Sequence, residues 1–251
     1  MYHRSRCLII KNMDFRETDK LVTVFSEKEG KLTSVARGTK KAGSSLRACV
    51  QPFCHSFLLF GKGRGELDLI TQGKLLDFYA NIREDLDTML YAVYIMELLD
   101  KSLMDREPLP RLYTTTLEVL ELFNEFSYRP LIMRYFEMSL LKNLGYLPIL
   151  DHCVLCGKND EALQNFSLSE GGMLCRKCSA QSGPHISLTG EALALIRLLN
   201  TAKSKTLSRV KASDYALEKV EYFLEKFLEF HLERKFNMKN TIRTLKRKIP
   251  C

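Results

Sequence analysis

The chain has 251 residues, of which 45% are hydrophobic and 27% charged, a globular composition that excludes a disordered or collagen-like protein. Lysine and arginine number 38 against 30 aspartate and glutamate residues, so the formal net charge is +8. This balance favours a polyanionic partner such as nucleic acid, although a solvated basic surface gives the same balance.

Residues 1–80 have the pattern of a small β-barrel. Glu27–Gly30 is typical of a tight hairpin with positive φ at Gly30. Five short strands favour an OB-fold, with an SH3-like barrel as the alternative. Pro52 then has to lie at an edge or bulge of the fourth strand. The predicted strands, rich in Val, Ile, Leu, Thr and Phe, are Arg6–Asn12, Lys20–Ser26, Lys31–Arg37, Val50–Phe60 and Glu66–Leu76.

From about residue 85 the apolar spacing becomes helical. Pro108 and Pro110 end the first helix, Pro130 begins the third, and Ser213 caps the last. The fold class is therefore α+β, with an OB-fold domain over residues 1–80 and a mainly helical domain over 81–251. The predicted helices are Asp85–Met104, Arg111–Phe126, Leu131–Leu144, Ser187–Asn200 and Asp214–Phe236.

Four cysteines carry the strongest chemical signal, namely Cys153, Cys156, Cys175 and Cys178. They form two C-x2-C pairs with 18 residues between them, a spacing typical of a tetrahedral zinc site. We predict one structural Zn²⁺ in an insertion at about residues 150–182, because four sulfurs leave no open coordination position. The alternatives are unligated thiols, a redox pair, or a ligand replaced by His152 or His185.

Two stretches contain no acidic residue, Gly30–Gly65 and the chain after Glu233. Residues 1–80 carry 14 basic and 8 acidic side chains, and residues 201–251 carry 13 and 6. Phe53 and Phe57 are possible base-stacking platforms, although core packing is favoured for both. A solvated basic face is the alternative. The predicted DNA-binding residues are Lys31, Arg37, Lys40, Lys41 and Arg47.

Enzyme motifs are incomplete in this sequence. Gly38–Ser45 has P-loop spacing, but Ser44 stands where the lysine belongs, and no helix is expected after it. Gly61–Gly65 lacks the later glycine of a dinucleotide fingerprint. We therefore predict that the protein is not an enzyme, with a nucleotide-dependent enzyme as the alternative.

The apolar segments are too short for a membrane protein. The longest run, Met89–Met96, is far below the ~20 residues of a spanning helix, and Cys7–Ile10 is too short for a signal-peptide core. We expect a cytoplasmic protein without a membrane partner. Its cysteines are then thiols or metal ligands rather than disulfides.

Several segments resemble the bacterial RecO family: FRETDKLVTVFS (Phe15–Ser26), EKEGKLTSVARG (Glu27–Gly38), Ser44–Leu46, Gln51–Phe53, and Leu144–Pro148 ahead of the cysteines. This resemblance implies a nucleoid-associated mediator of DNA recombination and repair. Such a protein binds single- and double-stranded DNA, anneals complementary strands and, with RecR, helps load RecA onto DNA coated by single-strand-binding protein. The C-terminal tail of single-strand-binding protein is an expected contact. A zinc-containing adaptor that binds protein or RNA is the alternative.

Overall fold

The N-terminal strands close into a barrel. The computed structural model describes residues 2–63, 65, 67–159, 163–207 and 209–248. The hydrogen-bonded order is β1-β2-β3-β5-β4, and β4 pairs with β1 to close the barrel. This five-stranded order confirms the predicted OB-fold. The strands are β1 (Tyr2–Phe15), β2 (Asp19–Ser26), β3 (Gly30–Ala36), β4 (His55–Gly61) and β5 (Asp68–Asp77).

Alternating side chains along the strands fill the barrel interior with apolar groups. Cys7, Cys49 and Cys54 are buried in this core, as predicted for these cysteines. Burial raises the pKa of the Cys54 thiol to about 11, so this group stays protonated at neutral pH. Other members of the core include Val22, Val24, Leu58, Phe60 and Ile70.

The start of the fourth strand differs from its prediction. The sequence predicts a strand from Val50 with Pro52 at an edge or bulge, but β4 begins at His55 and Pro52 lies in a turn. The Cys54 N–H donates to the Gln51 carbonyl at 3.2 Å and closes this turn. Proline fixes φ and has no N–H to donate, which suits a turn better than a ladder.

One helical turn, α1 (Leu46–Cys49), follows the segment Gly38–Ser45. The expectation that no helix follows this segment is therefore wrong. The turn is only four residues long, and Leu46 and Cys49 are both buried. A helix this short is not stable by propensity, so packing into the barrel holds it.

Gly30 occupies the β2–β3 hairpin with the positive φ that the sequence predicts, +72°. A Cβ at this position would lie 2.1 Å from the Glu107 carbonyl oxygen. We expect Gly30→Ala to lower the free energy of unfolding by about 2–3 kcal/mol, because left-handed backbone and a forced shift of the neighbouring chain both cost energy. Gly43→Ala is the matched control, since φ is +74° there but nothing lies within 4 Å of the added Cβ. Urea unfolding curves measure both losses, and equal values would show that the approach to Glu107 is irrelevant.

The described residues form two compact units. One contains the barrel, the helices up to Tyr128 and the chain from Phe236 onward, and the other contains Arg129–Lys235. The sequence places a domain boundary between residues 80 and 81. These two units do not test that boundary, and it stays a prediction. No helix among the described residues has the length and apolar character needed to cross a membrane.

Four helices belong to the unit that contains the barrel, besides α1. Asp85 caps α3, since its Oδ1 accepts the Thr88 N–H at 2.7 Å. The last helix, α10, is absent from the sequence prediction. The Glu97 carboxylate of α3 accepts the first N–H groups of α10, those of Asn237 and Met238, each at 2.9 Å. The four helices are α2 (Ala80–Glu84), α3 (Leu86–Ser102), α4 (Pro110–Phe126) and α10 (Asn237–Lys248).

The second unit contains helices α5 to α9 and a small sheet of order β7-β6-β8. Pro130 begins α5 as predicted, and the Ser213 Oγ accepts the Ala216 N–H at the start of α9, also as predicted. The sheet joins the helices through Phe166, which is fully buried against two rings of α9. The elements are α5 (Pro130–Asn143), β6 (Asn165–Ser167), β7 (Gly172–Leu174), α6 (Arg176–Ser179), β8 (His185–Ser187), α7 (Gly190–Thr201), α8 (Ser204–Leu207) and α9 (Asp214–Leu232).

Candidate metal centre and nucleic-acid interface

The two C-x2-C pairs converge on one point in the second unit. The sulfur atoms of Cys153, Cys156, Cys175 and Cys178 all lie within 4.8 Å of one another. The Cys156 and Cys175 sulfurs are 3.8 Å apart, and a tetrahedron with metal–sulfur bonds of about 2.3 Å has edges of about 3.8 Å. The four cysteines therefore form a cluster that can hold a metal ion.

Backbone N–H groups orient the sulfurs of the first pair. Cys153 Sγ accepts from the backbone of Leu155 and Cys156, and Cys156 Sγ accepts from that of Lys158. Gly172 of β7 lets this turn approach the sheet, because a Cβ there would lie 2.1 Å from Val154 Cγ1. The turn is thus fixed by its own backbone and by close packing on β7.

The surroundings of the cluster favour the thiolate at Cys153 and oppose it at Cys178. Burial opposes ionisation of Cys153, but the backbone donors of Cys175, Cys156 and Leu155 outweigh it and lower the pKa to about 6. A hydrogen bond with Cys175 raises the pKa of Cys178 to about 12. A bound cation favours the thiolate at all four positions, so binding releases protons and strengthens as pH rises.

Four cysteine sulfurs as ligands indicate that a bound ion would have a structural role. Four thiolates fill a tetrahedral coordination sphere and leave no position for substrate. Among the described residues the cluster consists of cysteines alone, and His152 instead lies with Nδ1 2.8 Å from the Asp151 carboxylate. An ion at this site would tie the two C-x2-C turns to each other. Its identity as zinc stays a prediction.

The predicted DNA-binding residues lie mainly in the loop between β3 and α1, residues 37–45, which we call the β3–α1 loop. Hydrogen bonds to the β1–β2 turn hold it in place. The Gly38 N–H donates to Asp19 Oδ1 at 2.9 Å, and this bond lowers the pKa of the Asp19 carboxyl. The Lys40 N–H donates to the Thr18 carbonyl at 3.1 Å. The backbone that carries these cations is therefore ordered before any ligand binds.

Arg47 braces this loop from α1. Its Nε donates to the Thr39 carbonyl at 3.2 Å, and its Nη2 donates to the carbonyls of Lys40 and Lys41 at 2.9 and 3.0 Å. The side chains of Arg37 and Lys41 are exposed. The Lys40 ammonium lies 2.8 Å from Asp14, and their hydrogen bond lowers the pKa of that exposed carboxyl.

Comparison with known proteins bears on the whole chain. The family model "Recombination protein O N terminal" matches residues 1–79, and the model "Recombination protein O C terminal" matches residues 83–240. The chain belongs to the RecO family. The members it matches are named DNA repair proteins, and the resemblance in the sequence is confirmed.

Curated RecO relatives align along most of their length. The DNA repair protein RecO of Syntrophomonas wolfei is 62% identical over 250 residues, covering 100% of this chain and 99% of the relative. That of Desulforamulus reducens is 33% identical over 229 residues, covering 91% and 89%. That of Oceanobacillus iheyensis is 34% identical over 224 residues, covering 88% and 85%.

Within this RecO chain, Lys31 lies apart from the other predicted DNA-binding residues. Its Nζ donates to the Asp100 carbonyl at 2.9 Å and lies 3.5 Å from the Asp105 carboxylate, with only 15% of the side chain exposed. Arg16 is not among the predicted DNA-binding residues; it lies in the β1–β2 turn with its guanidinium 5.1 Å from the Phe15 ring centroid.

Proposed function

We propose that this RecO chain is a recombination mediator in the bacterial cytoplasm, at the nucleoid. It binds single- and double-stranded DNA, anneals complementary strands and, together with RecR, helps load RecA onto DNA coated by single-strand-binding protein. The observation that carries this proposal is 62% identity to a DNA repair protein RecO along the full chain. The C-terminal tail of single-strand-binding protein is the proposed contact with that partner.

The β3–α1 loop is the proposed DNA contact. Arg37, Lys40 and Lys41 supply cations, and Arg47 keeps the loop backbone in place. Each phosphate neutralised releases counterions, so affinity falls with salt by about 0.7 log units per log unit for each contact on a single strand. A loop that is already held in place also loses less conformational entropy on binding than a flexible loop does.

Lys40→Ala/Lys41→Ala is expected to weaken binding to single-stranded DNA and to reduce the salt slope by about 1.4, since two phosphate contacts are lost. Fluorescence anisotropy of a labelled oligonucleotide across a salt series measures both quantities. Lys11→Ala/Lys28→Ala is the matched control, because it removes two exposed lysines elsewhere on the barrel. An unchanged slope in the Lys40/Lys41 variant would remove this loop from the interface.

Annealing needs no covalent step in this proposal. Neutralising the phosphates of two strands removes the repulsion between them, and base pairing then supplies the driving force. The test is the rate at which complementary oligonucleotides anneal when coated by single-strand-binding protein, with and without its C-terminal tail. We expect this RecO chain to speed annealing only when the tail is present. We also expect RecA loading to require added RecR. No DNA binding at low salt would contradict it.

The proposed zinc ion takes no part in these steps. Cys153, Cys156, Cys175 and Cys178 would hold it, and its contribution is to fix the fold around the two C-x2-C turns. Metal analysis of freshly purified protein is expected to find one zinc per chain.

A further inference from the structure

The face that OB-folds commonly use for ligands is covered in this chain. That face is the outer surface of strands 2 and 3. Phe25 of β2 points outward there, yet it is fully buried and packs edge-on against Tyr113 of α4 at 5.4 Å. Thr23 and Val35 on the same face are each only 6% exposed. A polynucleotide strand therefore needs a different surface of the barrel.

The outer face of β1, β4 and β5 is open instead. Directly paired residues of neighbouring strands share a face, and Phe57 of β4 pairs with Arg6 of β1 and with Lys74 of β5. All three side chains are exposed. The next row on this face joins Arg4, Leu59 and Gln72. We call these two rows, with Tyr2 and Gly61 beyond them, the β1–β4–β5 face.

Two aromatic rings on this face are available for stacking. Phe57 is 37% exposed, so the expectation that it packs in the core is wrong, whereas Phe53 is buried as expected. Tyr2 is 73% exposed and lies against Gly61, where a Cβ would come within 2.8 Å of the ring. The Tyr2 ring thus has one surface against the sheet and its other surface open to solvent.

The charge on this face is uniformly positive. Arg4, Arg6 and Lys74 form no ion pair with any described residue, and neither row contains an acidic residue. A groove of about 710 Å³ lies at the Tyr2 end of this face, lined by Tyr2, His3, Arg4, Leu59, Thr71 and Gln72. Cations beside open aromatic rings are the combination that binds single-stranded nucleic acid without sequence readout.

We infer that the β1–β4–β5 face binds a single-stranded polynucleotide, with phosphates on Arg4, Arg6 and Lys74 and bases stacked on Phe57 and Tyr2. This inference rests on the proposed function and extends it. The face uses strands that the β3–α1 loop does not belong to, so one barrel offers two surfaces for polyanions. Holding two strands on one barrel would bring them close together and so favour annealing.

Tryptophan fluorescence tests this directly, because the chain contains no tryptophan. Phe57→Trp places a single tryptophan on the face, which can be excited selectively, and Tyr2→Trp is a second probe at a more exposed position. Oligothymidylate is expected to quench both, with recovery as salt rises, because a stacked base quenches indole and the strand is held electrostatically. A blunt duplex is expected to leave both unquenched. Phe126→Trp is the matched control, since Phe126 is 42% exposed at the end of α4.

Affinity measurements complete the test. Arg4→Ala/Arg6→Ala/Lys74→Ala is expected to reduce the salt slope by about 2, and Phe57→Ala to weaken oligothymidylate binding at least about fivefold. Anisotropy of the labelled oligonucleotide is read in the same samples. If anisotropy shows that the oligonucleotide binds while neither tryptophan is quenched, this inference is wrong and the proposed function is unaffected. Probes that respond only to an added protein partner also overturn it. If neither the wild-type protein nor any variant binds the oligonucleotide, the proposed function is wrong as well.

Discussion

Replacing Cys175 by serine is expected to abolish metal binding and to open the segment around the two C-x2-C turns, while the barrel stays folded. The reason is the small size of the local core, whose buried members are Cys153, Leu174 and Cys175. Its strands β6, β7 and β8 are three residues each. Phe166 anchors β6 on α9, but the cluster at the cysteines is too small to order the two C-x2-C turns by apolar burial alone. A structural zinc site supplies on the order of 10 kcal/mol to such a segment.

Two measurements check this expectation. Metal content should fall from one ion per chain to a small fraction of that value. Trypsin should then cut rapidly after Lys158, Arg176 or Lys177, which are exposed in this segment. Cys49→Ala is the control, because Cys49 lies in the barrel core outside the cluster and its loss should leave metal content unchanged. Full metal content in the Cys175 variant would show that the cluster does not need this sulfur.

Features that depend on neighbouring residues were predictable from the sequence. Pro130 and Ser213 begin their helices where a missing N–H or a capping hydroxyl predicts. Gly30 adopts the positive φ of its hairpin. The cysteine cluster follows from spacing alone, because each C-x2-C pair forms one tight turn and two turns complete a tetrahedron.

Features that depend on distant residues were not predictable in the same way. Helix α10 is strongly polar and is held at its start by Glu97, 140 residues earlier in the chain. The β3–α1 loop is ordered by Asp19, whose role appears only when the β1–β2 turn folds against Gly38. Phe57 and Phe53 are alike in the sequence pattern, and only the strand boundaries decide that one ring faces solvent.

A buried ion pair in α5 belongs to this second group. Arg134 and Glu137 stand three residues apart on α5, and their side chains are 2% and 0% exposed. Arg134 Nε lies 3.1 Å from Glu137 Oε2, and its Nη1 lies 3.5 Å from Glu221 of α9. Apolar periodicity predicts which face of a helix is buried, but it does not predict that charges are buried there together.

Arg134→Met is expected to lower the free energy of unfolding by about 3–5 kcal/mol, because it leaves the Glu137 carboxylate buried without its guanidinium. The control is Arg134→Met/Glu137→Leu, which removes both charges and fills similar volume. This double variant is expected to recover most of the loss, since apolar replacement of a buried pair is often neutral or stabilising. Chemical denaturation followed by circular dichroism measures both variants. A double variant as unstable as the single one would mean that the cost comes from lost side-chain packing and not from breaking the ion pair.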